Sequence, residues 1–122
     1  MKIQALPQGF SICKMESLSQ ADLTGAFVFA AKTDEEISLV CCTEAVPPNA
    51  LECDHGWRAF RIQGVLDFSL VGILAKISTL LAESQIGIFA VSTFNTDYIL
   101  TKAENFQRAI EVLGQNGYET GI

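Results

Sequence analysis

The chain has 122 residues, of which 49% are hydrophobic and 18% charged, and its formal net charge is −6. A chain of this length and apolar content can bury its own core, as one compact unit or as two small units that share an interface, which argues against disorder. Its basic residues are scattered except for Arg58 and Arg61, so we expect no nucleic-acid partner and no anionic membrane surface.

The apolar segments are too short to predict a membrane protein. The longest uninterrupted apolar run, residues 26–31, falls far short of the roughly 20 residues that a spanning helix needs. Residues 1–7 have one charged side chain and no sustained apolar region, so they do not resemble a secretory signal. We therefore expect a cytoplasmic protein.

The N-terminal half is predicted to contain short strands and little helix. Three segments have the alternation or the apolar content of strands: residues 10–15, 26–32 and 37–42. A polar turn at residues 33–36 joins the second and third of these strands into a hairpin. Residues 17–23 are predicted to form a short helix that Gly25 ends. The Pro47-Pro48 pair excludes a long helix after the hairpin.

The C-terminal half begins with a strand and a longer helix. Residues 57–62 form a strand-like run, which residues 64–69 interrupt. Apolar residues then recur at helical spacing over residues 70–81, with polar residues on the other side, which predicts an amphipathic helix. Ser69 is the predicted N-cap of this helix, and Gly87 follows its end.

A hairpin and a second helix complete this half. Residues 86–94 and 98–101 are predicted to pair as strands. Thr101 and Glu104 have the spacing of a capping box for the second helix. Its predicted apolar stripe consists of Phe106, Ala109, Ile110 and Leu113. A last strand is predicted at residues 118–122.

The predicted order of elements in the C-terminal half is β-α-β-β-α-β. The N-terminal half follows the same order with stunted helices. We therefore predict an α+β protein made of two ferredoxin-like βαββαβ units, each an antiparallel sheet with helices on one face. The predicted boundary divides residues 1–56 from residues 57–122.

The cysteines and the single histidine offer a catalytic or metal-binding alternative. In a reducing cytosol, cysteines beside apolar strands are small buried hydrophobic residues: Cys13, Cys41, Cys42 and Cys53. Cys41 and Cys42 point to opposite faces of a strand, so both cannot ligate one ion with Cys53 and His55 unless the strand bulges. His55 near Cys53 lacks a third orienting group, which favours a polar surface turn over catalysis. We predict no metal, no cofactor and no catalytic residue.

Two segments of the C-terminal half carry a family resemblance. Residues 64–77, GVLDFSLVGILAKI, and residues 87–100, GIFAVSTFNTDYIL, resemble the small tandem ACT-domain proteins related to aspartokinase regulatory regions and CASTOR-type arginine sensors. Trp57 and the hairpin over residues 27–42 also fit, so the resemblance covers most of the chain. It implies two ACT units that bind an amino acid or similar small effector between them, in allosteric regulation. A homodimer through these units is expected.

An α-amino acid presents a carboxylate and an ammonium on adjacent atoms, so its pocket needs N–H donors on one side and an acceptor on the other. The start of the predicted helix supplies donors in the amides of Leu70, Val71 and Gly72. Gly72 also removes a side chain where a ligand approaches. By resemblance, the ligand-binding residues are Asp67, Phe68, Ser69, Leu70, Val71, Gly72, Thr93, Phe94 and Asp97. Asp97 would then pair with the ammonium or with a basic side chain of the ligand, and Phe94 would cover the aliphatic part.

Simpler roles remain open for several of these residues. In these alternatives, Asp67 only caps the helix and Asp97 only stabilises the turn with Asn95. Phe94 is then a core residue. At the level of function, two alternatives also stay open. One is a ligand-free interaction subunit that dimerises with an enzyme or another ACT protein, and the other is a small thiol or metal enzyme.

Overall fold

The computed structural model describes residues 1–63 and 71–121. Within these residues lie six strands and two α-helices: β1 Ile3–Met15, β2 Val28–Lys32, β3 Ile37–Cys42, β4 Ala50–Ile62, α1 Ile73–Glu83, β5 Phe89–Ser92, β6 Asp97–Lys102 and α2 Ala103–Gln115. The strands pair antiparallel in the three pairs β1–β3, β2–β3 and β5–β6. The prediction of an α+β fold with antiparallel strands is therefore confirmed.

The chain forms two compact units, and one of them is discontinuous in sequence. Residues Met1–Pro7 and Arg58–Ile122 form the discontinuous unit, and Gln8–Trp57 form the inserted unit. The chain passes from one unit to the other within β1 and again within β4. In the discontinuous unit the strand order is β1-β4-β6-β5, and in the inserted unit it is β2-β3-β1-β4. The predicted domain boundary between residues 56 and 57 stays a prediction.

Helices α1 and α2 cover one face of the strands in the discontinuous unit. Side chains alternate between the two faces along a strand, and those on the helix-covered face are apolar. Strand and helix residues share one core: Ile3, Phe60, Ile62, Ile77, Leu81, Ile86, Ile99, Phe106, Ala109, Ile110 and Leu113. Burying each large apolar side chain stabilises the fold by about 1.5–3 kcal/mol. The predicted stripe of α2 is confirmed, since its four residues are the buried ones of that helix.

Both helices begin differently from the prediction. Helix α1 starts at Ile73, and its N-cap is Gly72 in the left-handed conformation, with φ of 79°. The predicted start at Leu70 is wrong because a residue with this φ cannot lie inside a right-handed helix; the predicted cap, Ser69, lies outside the described residues. Helix α2 has Lys102 as its N-cap and no side-chain capping bond, so the predicted capping box is wrong. Thr101 belongs to β6 instead.

Both helices end in the same hydrogen-bonded arrangement. After α1, the amide of Ile86 donates to the carbonyl of Leu81 and that of Gln85 to Ala82. After α2, Tyr118 and Gly117 make the corresponding bonds. This arrangement is the Schellman motif, whose C′ residue is left-handed. Gly117 has φ of 92° and Gln85 has φ of 60°, so a glutamine holds a position that favours glycine.

The inserted unit contains no α-helix, and all of its residues are described. Its helical content is the single 3-10 turn Thr43–Ala45. The predicted helix at residues 17–23 is wrong because short polar side chains there bond to nearby backbone amides and so compete with helix formation. Ser17 Oγ accepts from the amide of Ser19 at 3.3 Å, and an Asp22 oxygen accepts from that of Thr24 at 2.9 Å. The prediction of two ferredoxin-like βαββαβ units is therefore wrong for the N-terminal half, and one ACT-like domain's worth of helices is present.

The hairpins of the two units are nevertheless built alike. In β2–β3, Phe29 pairs with Val40, and in β5–β6, Phe89 pairs with Leu100. The burial pattern along β3 is the same as that along β6. In each hairpin the first turn residue is a threonine whose amide donates to a carbonyl three residues on, at 2.9 Å in one and 2.8 Å in the other.

The two ends of the described chain also depart from the prediction. Strand β1 begins at Ile3 rather than near residue 10, so the first strand is longer than predicted. The predicted last strand at residues 118–122 is reduced, among described residues, to an isolated bridge between Lys2 and Glu119. In the described part of the chain, neither helix has the length and apolar composition that crossing a membrane requires.

Candidate functional site

One end of the discontinuous unit brings the end of β4 and the start of β6 together. Thr96 Oγ1 donates a hydrogen bond of 2.7 Å to the carbonyl oxygen of Ile62, the last residue of β4. At the same end, the amide of Gln63 donates to the carbonyl of Lys2 at 2.9 Å. The segment that leads to α1 leaves from this junction, and Asp97 begins β6 beside it. The two segments predicted to hold the ligand thus both start from this end of the unit.

The turn before β6 is held by its own side chains. Thr93 Oγ1 donates to the carbonyl of Thr96 at 2.9 Å and accepts from its amide at 3.3 Å. Ser92 Oγ donates to Asp97 Oδ1 at 2.6 Å across the hairpin. The described turn partner of Asp97 is therefore Ser92 rather than Asn95. Phe94 is 80% exposed, so the interpretation of Phe94 as a core residue is wrong.

A cavity of about 290 Å³ lies at the start of α1. The residues that line it are Met1, Val71, Gly72, Ile73, Lys76, Asn116, Gly117 and Tyr118. The first amides of α1 lack partners within the helix, and together with the Lys76 ammonium they favour an anion. The Tyr118 hydroxyl is a further donor on this side, and burial raises the pKa of its phenol. This side of the site can therefore bind a carboxylate.

A second cavity, of about 270 Å³, lies beside the turn. The residues that line it are Gln4, Arg61, Ile62, Gln63, Thr93, Asn95, Thr96 and Tyr98. Of the predicted ligand-binding residues, Val71 and Gly72 line the first cavity and Thr93 lines the second, and the two described linings share no residue. Phe94 and Asp97 line neither. The remaining predicted residues lie outside the described chain: Asp67, Phe68, Ser69 and Leu70. Their assembly into one pocket stays a prediction.

Arg61 is the most constrained polar side chain of the second cavity. Its Nε donates to Gln4 Oε1 at 3.1 Å, and its Nη1 donates to the Tyr98 hydroxyl at 3.1 Å. The guanidinium carbon lies 5.9 Å from the centroid of the Tyr98 ring. Sequence analysis noted Arg61 only as a neighbour of Arg58. The missed signal is its position between the core residues Phe60 and Ile62, since a strand turns alternate side chains to the other face.

The single histidine lies in the inserted unit and has a partner that is distant in sequence. His55 Nδ1 lies 2.6 Å from Ser11 Oγ, which also lies 2.9 Å from Thr43 Oγ1. Sequence analysis paired His55 with Cys53 because only close neighbours can be recognised without knowing which strands are adjacent. Ser11 is completely buried, so its hydroxyl is not presented to a substrate as a nucleophile.

The cysteines of the inserted unit are free thiols in different environments. Cys13 and Cys41 are buried as predicted, whereas Cys53 is exposed, contrary to prediction. Burial raises the pKa of Cys13 to about 12, and a hydrogen bond with Cys53 adds to this shift. Burial also raises the pKa of Cys41, so both thiols stay protonated at neutral pH and are poor nucleophiles. Among residues 1–63 and 71–121, no group of three or more His, Cys, Asp or Glu side chains can hold a metal ion.

Comparison with known proteins identifies relatives of the C-terminal region and of the fold. Residues 52–115 match a family described as ACT domain. A protein of known structure from Agobacterium tumefaciens is 31% identical, with a TM-score of 0.86, and the match covers 98% of this chain and 90% of that one. A Vibrio cholerae protein of unknown function, described as a possible transport protein, is 20% identical, with a TM-score of 0.78 and coverage of 99% and 89%.

More distant similarities concern the fold alone. The regulatory subunit of aspartate kinase from Thermus thermophilus, in its ligand-free form, is 12% identical, with a TM-score of 0.67 and coverage of 94% and 96%. The match to Clostridium acetobutylicum aspartate kinase covers 93% of this chain but 33% of that enzyme, at 14% identity and a TM-score of 0.71. No curated protein matches the sequence.

Proposed function

We propose that this chain, which belongs to the ACT-domain family, is a non-catalytic regulatory module that binds an amino acid or a similar small effector. The chain has the fold of aspartate kinase regulatory subunits, which supports a regulatory role. Because one ACT-like domain accounts for the helix-bearing part of the chain, we place the effector between the ACT domains of two copies in a homodimer. We propose a cytoplasmic location for this dimer.

The Thr96–Ile62 hydrogen bond is the observation that carries this proposal. It holds the start of β6 at the end of the unit from which the chain continues to α1. Asp97 and Ile99 lie on the same face of β6, and Ile99 packs in the core beneath the helices, so Asp97 is on the helix side. We propose that the acceptor for an ammonium and the donors for a carboxylate lie at one end and on one side of the unit.

In the proposed site, the amides at the start of α1 bind the effector carboxylate and Asp97 binds its ammonium. The donors begin at Ile73, because the helix starts there. The residues proposed to contact the effector are Asp67, Phe68, Ser69, Leu70, Val71, Gly72, Thr93, Phe94 and Asp97. Exposed apolar Val71 and Phe94 would cover its aliphatic part, since both are largely solvent-accessible in the single chain.

Thermal-shift screening against the twenty amino acids tests this proposal. We expect at least one of them to raise the melting temperature near millimolar concentration, because a ligand that binds only the folded state stabilises it. Asp97→Asn should abolish the shift, and Asp34→Asn should not. Asp34 is a matched control, since it is an exposed turn residue of the other hairpin and its change removes the same charge. An absence of any shift in the wild type would argue against an amino-acid effector.

The internal bonds of the turn favour a second candidate function, a ligand-free interaction subunit. The Asp97 carboxylate already accepts a hydrogen bond from the Ser92 hydroxyl, and the Thr93 hydroxyl already donates to the carbonyl of Thr96 within the turn. In that case Asp97→Ala should leave self-association or partner binding intact. Ala90→Pro should disrupt it, because proline removes a backbone donor from the edge strand β5. Sedimentation of both variants distinguishes the two functions.

A further inference from the structure

Strands β1 and β4 run antiparallel to each other in the inserted unit. Ser11 Oγ of β1 lies 2.6 Å from His55 Nδ1 of β4, and the amide of Glu16 donates to the carbonyl of Asn49 at 3.3 Å. The positions in contact therefore rise along β1 while they fall along β4. The two strands are also neighbours in the sheet. Antiparallel neighbours place residues of the two strands directly opposite each other in pairs.

Cys13 and Cys53 form one of these pairs. Each lies two positions from the Ser11–His55 contact, Cys13 further along β1 and Cys53 the same distance back along β4. Side chains two positions apart point to the same face of a strand, so both thiols lie on the face of that contact. The hydrogen bond between Cys13 and Cys53 agrees with this placement. Directly opposite residues have Cα atoms about 4.5–5.5 Å apart, which is a separation that a disulfide can span.

The other two cysteines of the chain are not placed to form this bond. Cys41 belongs to β3, which pairs with the other side of β1, so two strand spacings, or about 10 Å, separate it from β4. Its partner on β1 is Ser11 rather than Cys13. Cys42 follows Cys41 along β3 and so points to the opposite face of the sheet. Of the four cysteines, all of which are described, only Cys13 can therefore close a disulfide with Cys53 in the folded unit.

The two thiols of the pair differ in their access to solvent. Cys53 is exposed, whereas Cys13 is 2% exposed. Burial also raises the pKa of Cys13, so little of it is the reactive thiolate at neutral pH. An oxidant in solution therefore reaches Cys53 first. Cys13 can react second, because its sulfur is already adjacent and holding two reactants together offsets a low reactivity.

We propose that Cys53 is an oxidation site for small disulfides of the glutathione type, and that Cys13 is the partner with which it closes a reversible intramolecular disulfide. This modification goes beyond the proposed effector binding and uses none of the residues proposed to contact the effector. In a reducing cytosol the bond forms only transiently, when conditions become oxidising.

The oxidation takes place in two exchange steps. In the first step, the Cys53 thiolate attacks one sulfur of the small disulfide, whose S–S bond breaks to release one thiolate. In the second step, the Cys13 thiolate attacks Cys53 Sγ, and the mixed disulfide breaks to release the other thiolate. Each released thiolate takes up a proton of the kind that a protein thiol has lost to solvent. The two protein thiols thus lose two electrons and two protons, and the small disulfide is reduced to two thiols.

Incubation of the folded protein in buffers of oxidised and reduced glutathione tests the proposal. Free thiols are then blocked by alkylation, and intact mass and peptide mapping report the state of each cysteine. In oxidised glutathione we expect more than half of the wild type to lose two hydrogen atoms and to yield a peptide pair linked through Cys13 and Cys53. An excess of reduced glutathione should restore both thiols.

Single substitutions separate the two steps. Cys13→Ala keeps the exposed thiol but removes its partner, so it should accumulate one glutathione on Cys53. Cys53→Ala should stay unmodified at Cys13, because that thiol is buried. Cys42→Ala is the matched control, since it removes a half-buried thiol from the opposite face and should still form the disulfide. If Cys13→Ala fails to fold, Cys53→Ala decides, because it changes an exposed position.

Several results would contradict the proposal. A wild type that retains glutathione on Cys53 without closing the disulfide would overturn it, as would a disulfide that links two chains through Cys53. Modification of Cys13 in Cys53→Ala would refute the role of Cys53 as the first site of attack, and loss of the disulfide in Cys42→Ala would refute the assignment of its partner. None of these results bears on stabilisation by amino acids, which depends on Asp97.

Discussion

Thr96 and Ile62 are joined by a buried hydrogen bond from a side-chain hydroxyl to a backbone carbonyl, 2.7 Å long and spanning 34 positions in sequence. Thr96 is 7% exposed, so water cannot readily replace the hydroxyl as donor. The bond fixes the turn before β6 against the end of β4. The geometry of the proposed effector site therefore depends on a residue that need not touch the effector.

Replacing this hydroxyl should destabilise the fold. Thr96→Val is nearly isosteric but leaves the Ile62 carbonyl without its donor, and we expect a loss of about 1–3 kcal/mol in the free energy of unfolding. Thr96→Ser keeps the hydroxyl and should lose less. Urea denaturation of the three proteins measures the difference. Equal stability of the valine and serine variants would show that the bond contributes nothing.

The left-handed glutamine after α1 offers a stabilising substitution. Gln85→Gly should raise the free energy of unfolding by about 0.5–1 kcal/mol, because glycine adopts a positive φ without strain but gains entropy in the unfolded chain. Ala82→Gly, three residues earlier and inside the helix, should instead lower it by about 1 kcal/mol. Calorimetric melting checks both. A Gln85→Gly protein that melts below the wild type would contradict the strain argument.

Gly72 should resist substitution for a reason unrelated to ligands. Its φ of 79° strains any side chain, although no atom lies within 4 Å of an added Cβ. Gly72→Ala should cost about 1–2 kcal/mol in stability. Gly87→Ala is the matched control, because the space there is equally open and its φ lies outside the left-handed region. If both alanine variants melt alike, backbone strain does not explain this glycine.

Cys13 should make stability depend on alkaline pH. Burial raises its pKa in the folded state to about 12, from an ordinary value of 9.0. The folded protein therefore holds the thiol proton more tightly than the unfolded chain, so this contribution is complete below about pH 9 and is lost as pH rises towards about pH 12. Wild type should lose its stability advantage over Cys13→Ala across this range.

Urea denaturation at pH steps between about pH 8 and about pH 11 measures that advantage. Met15→Ala serves as the control, since it removes a buried group of the same strand that does not titrate. Its stability difference from wild type should stay constant with pH. A constant difference for Cys13→Ala as well would rule out the raised thiol pKa as a source of stability.

Local patterns predicted the C-terminal elements well. The four apolar residues of α2 were identified because helical periodicity directly reports the buried side. Apolar runs on either side of the turn residues Asn95, Thr96 and Asp97 likewise located the β5–β6 hairpin. The start of α1 was missed because the apolar pattern includes Leu70 and Val71, whereas the left-handed backbone of Gly72 prevents the helix from beginning before Ile73. Hydrophobic periodicity does not report the backbone angle φ of a residue. The amides proposed as donors therefore begin at Ile73 rather than at Leu70.

Two polar contacts were missed because they depend on which strands are neighbours. The contact between Ser11 and His55 joins positions 44 residues apart, and no local sequence pattern predicts it. The hydrogen bond between Arg61 and Gln4 was missed for the same reason, since the two residues lie 57 positions apart. The prediction of a short helix at residues 17–23 was wrong because serine and aspartate side chains there accept hydrogen bonds from nearby backbone amides. The fold class can be predicted from hydrophobic periodicity. A polar site built from several strands can be predicted only when the order of the strands in the sheet is known.

The discontinuous unit also dictates an order of events during synthesis. Ile3 shares a core with Leu113, and the amide of Ile3 donates to the carbonyl of Glu119 at 2.8 Å. The residues of β1 that belong to this unit can therefore complete their packing only after Glu119 has left the ribosome. The inserted unit is complete at Trp57 and can fold during that wait, which lasts roughly several seconds at ordinary rates of translation. The first residues of β1 thus spend that interval without their complete core, a window in which a chaperone can act.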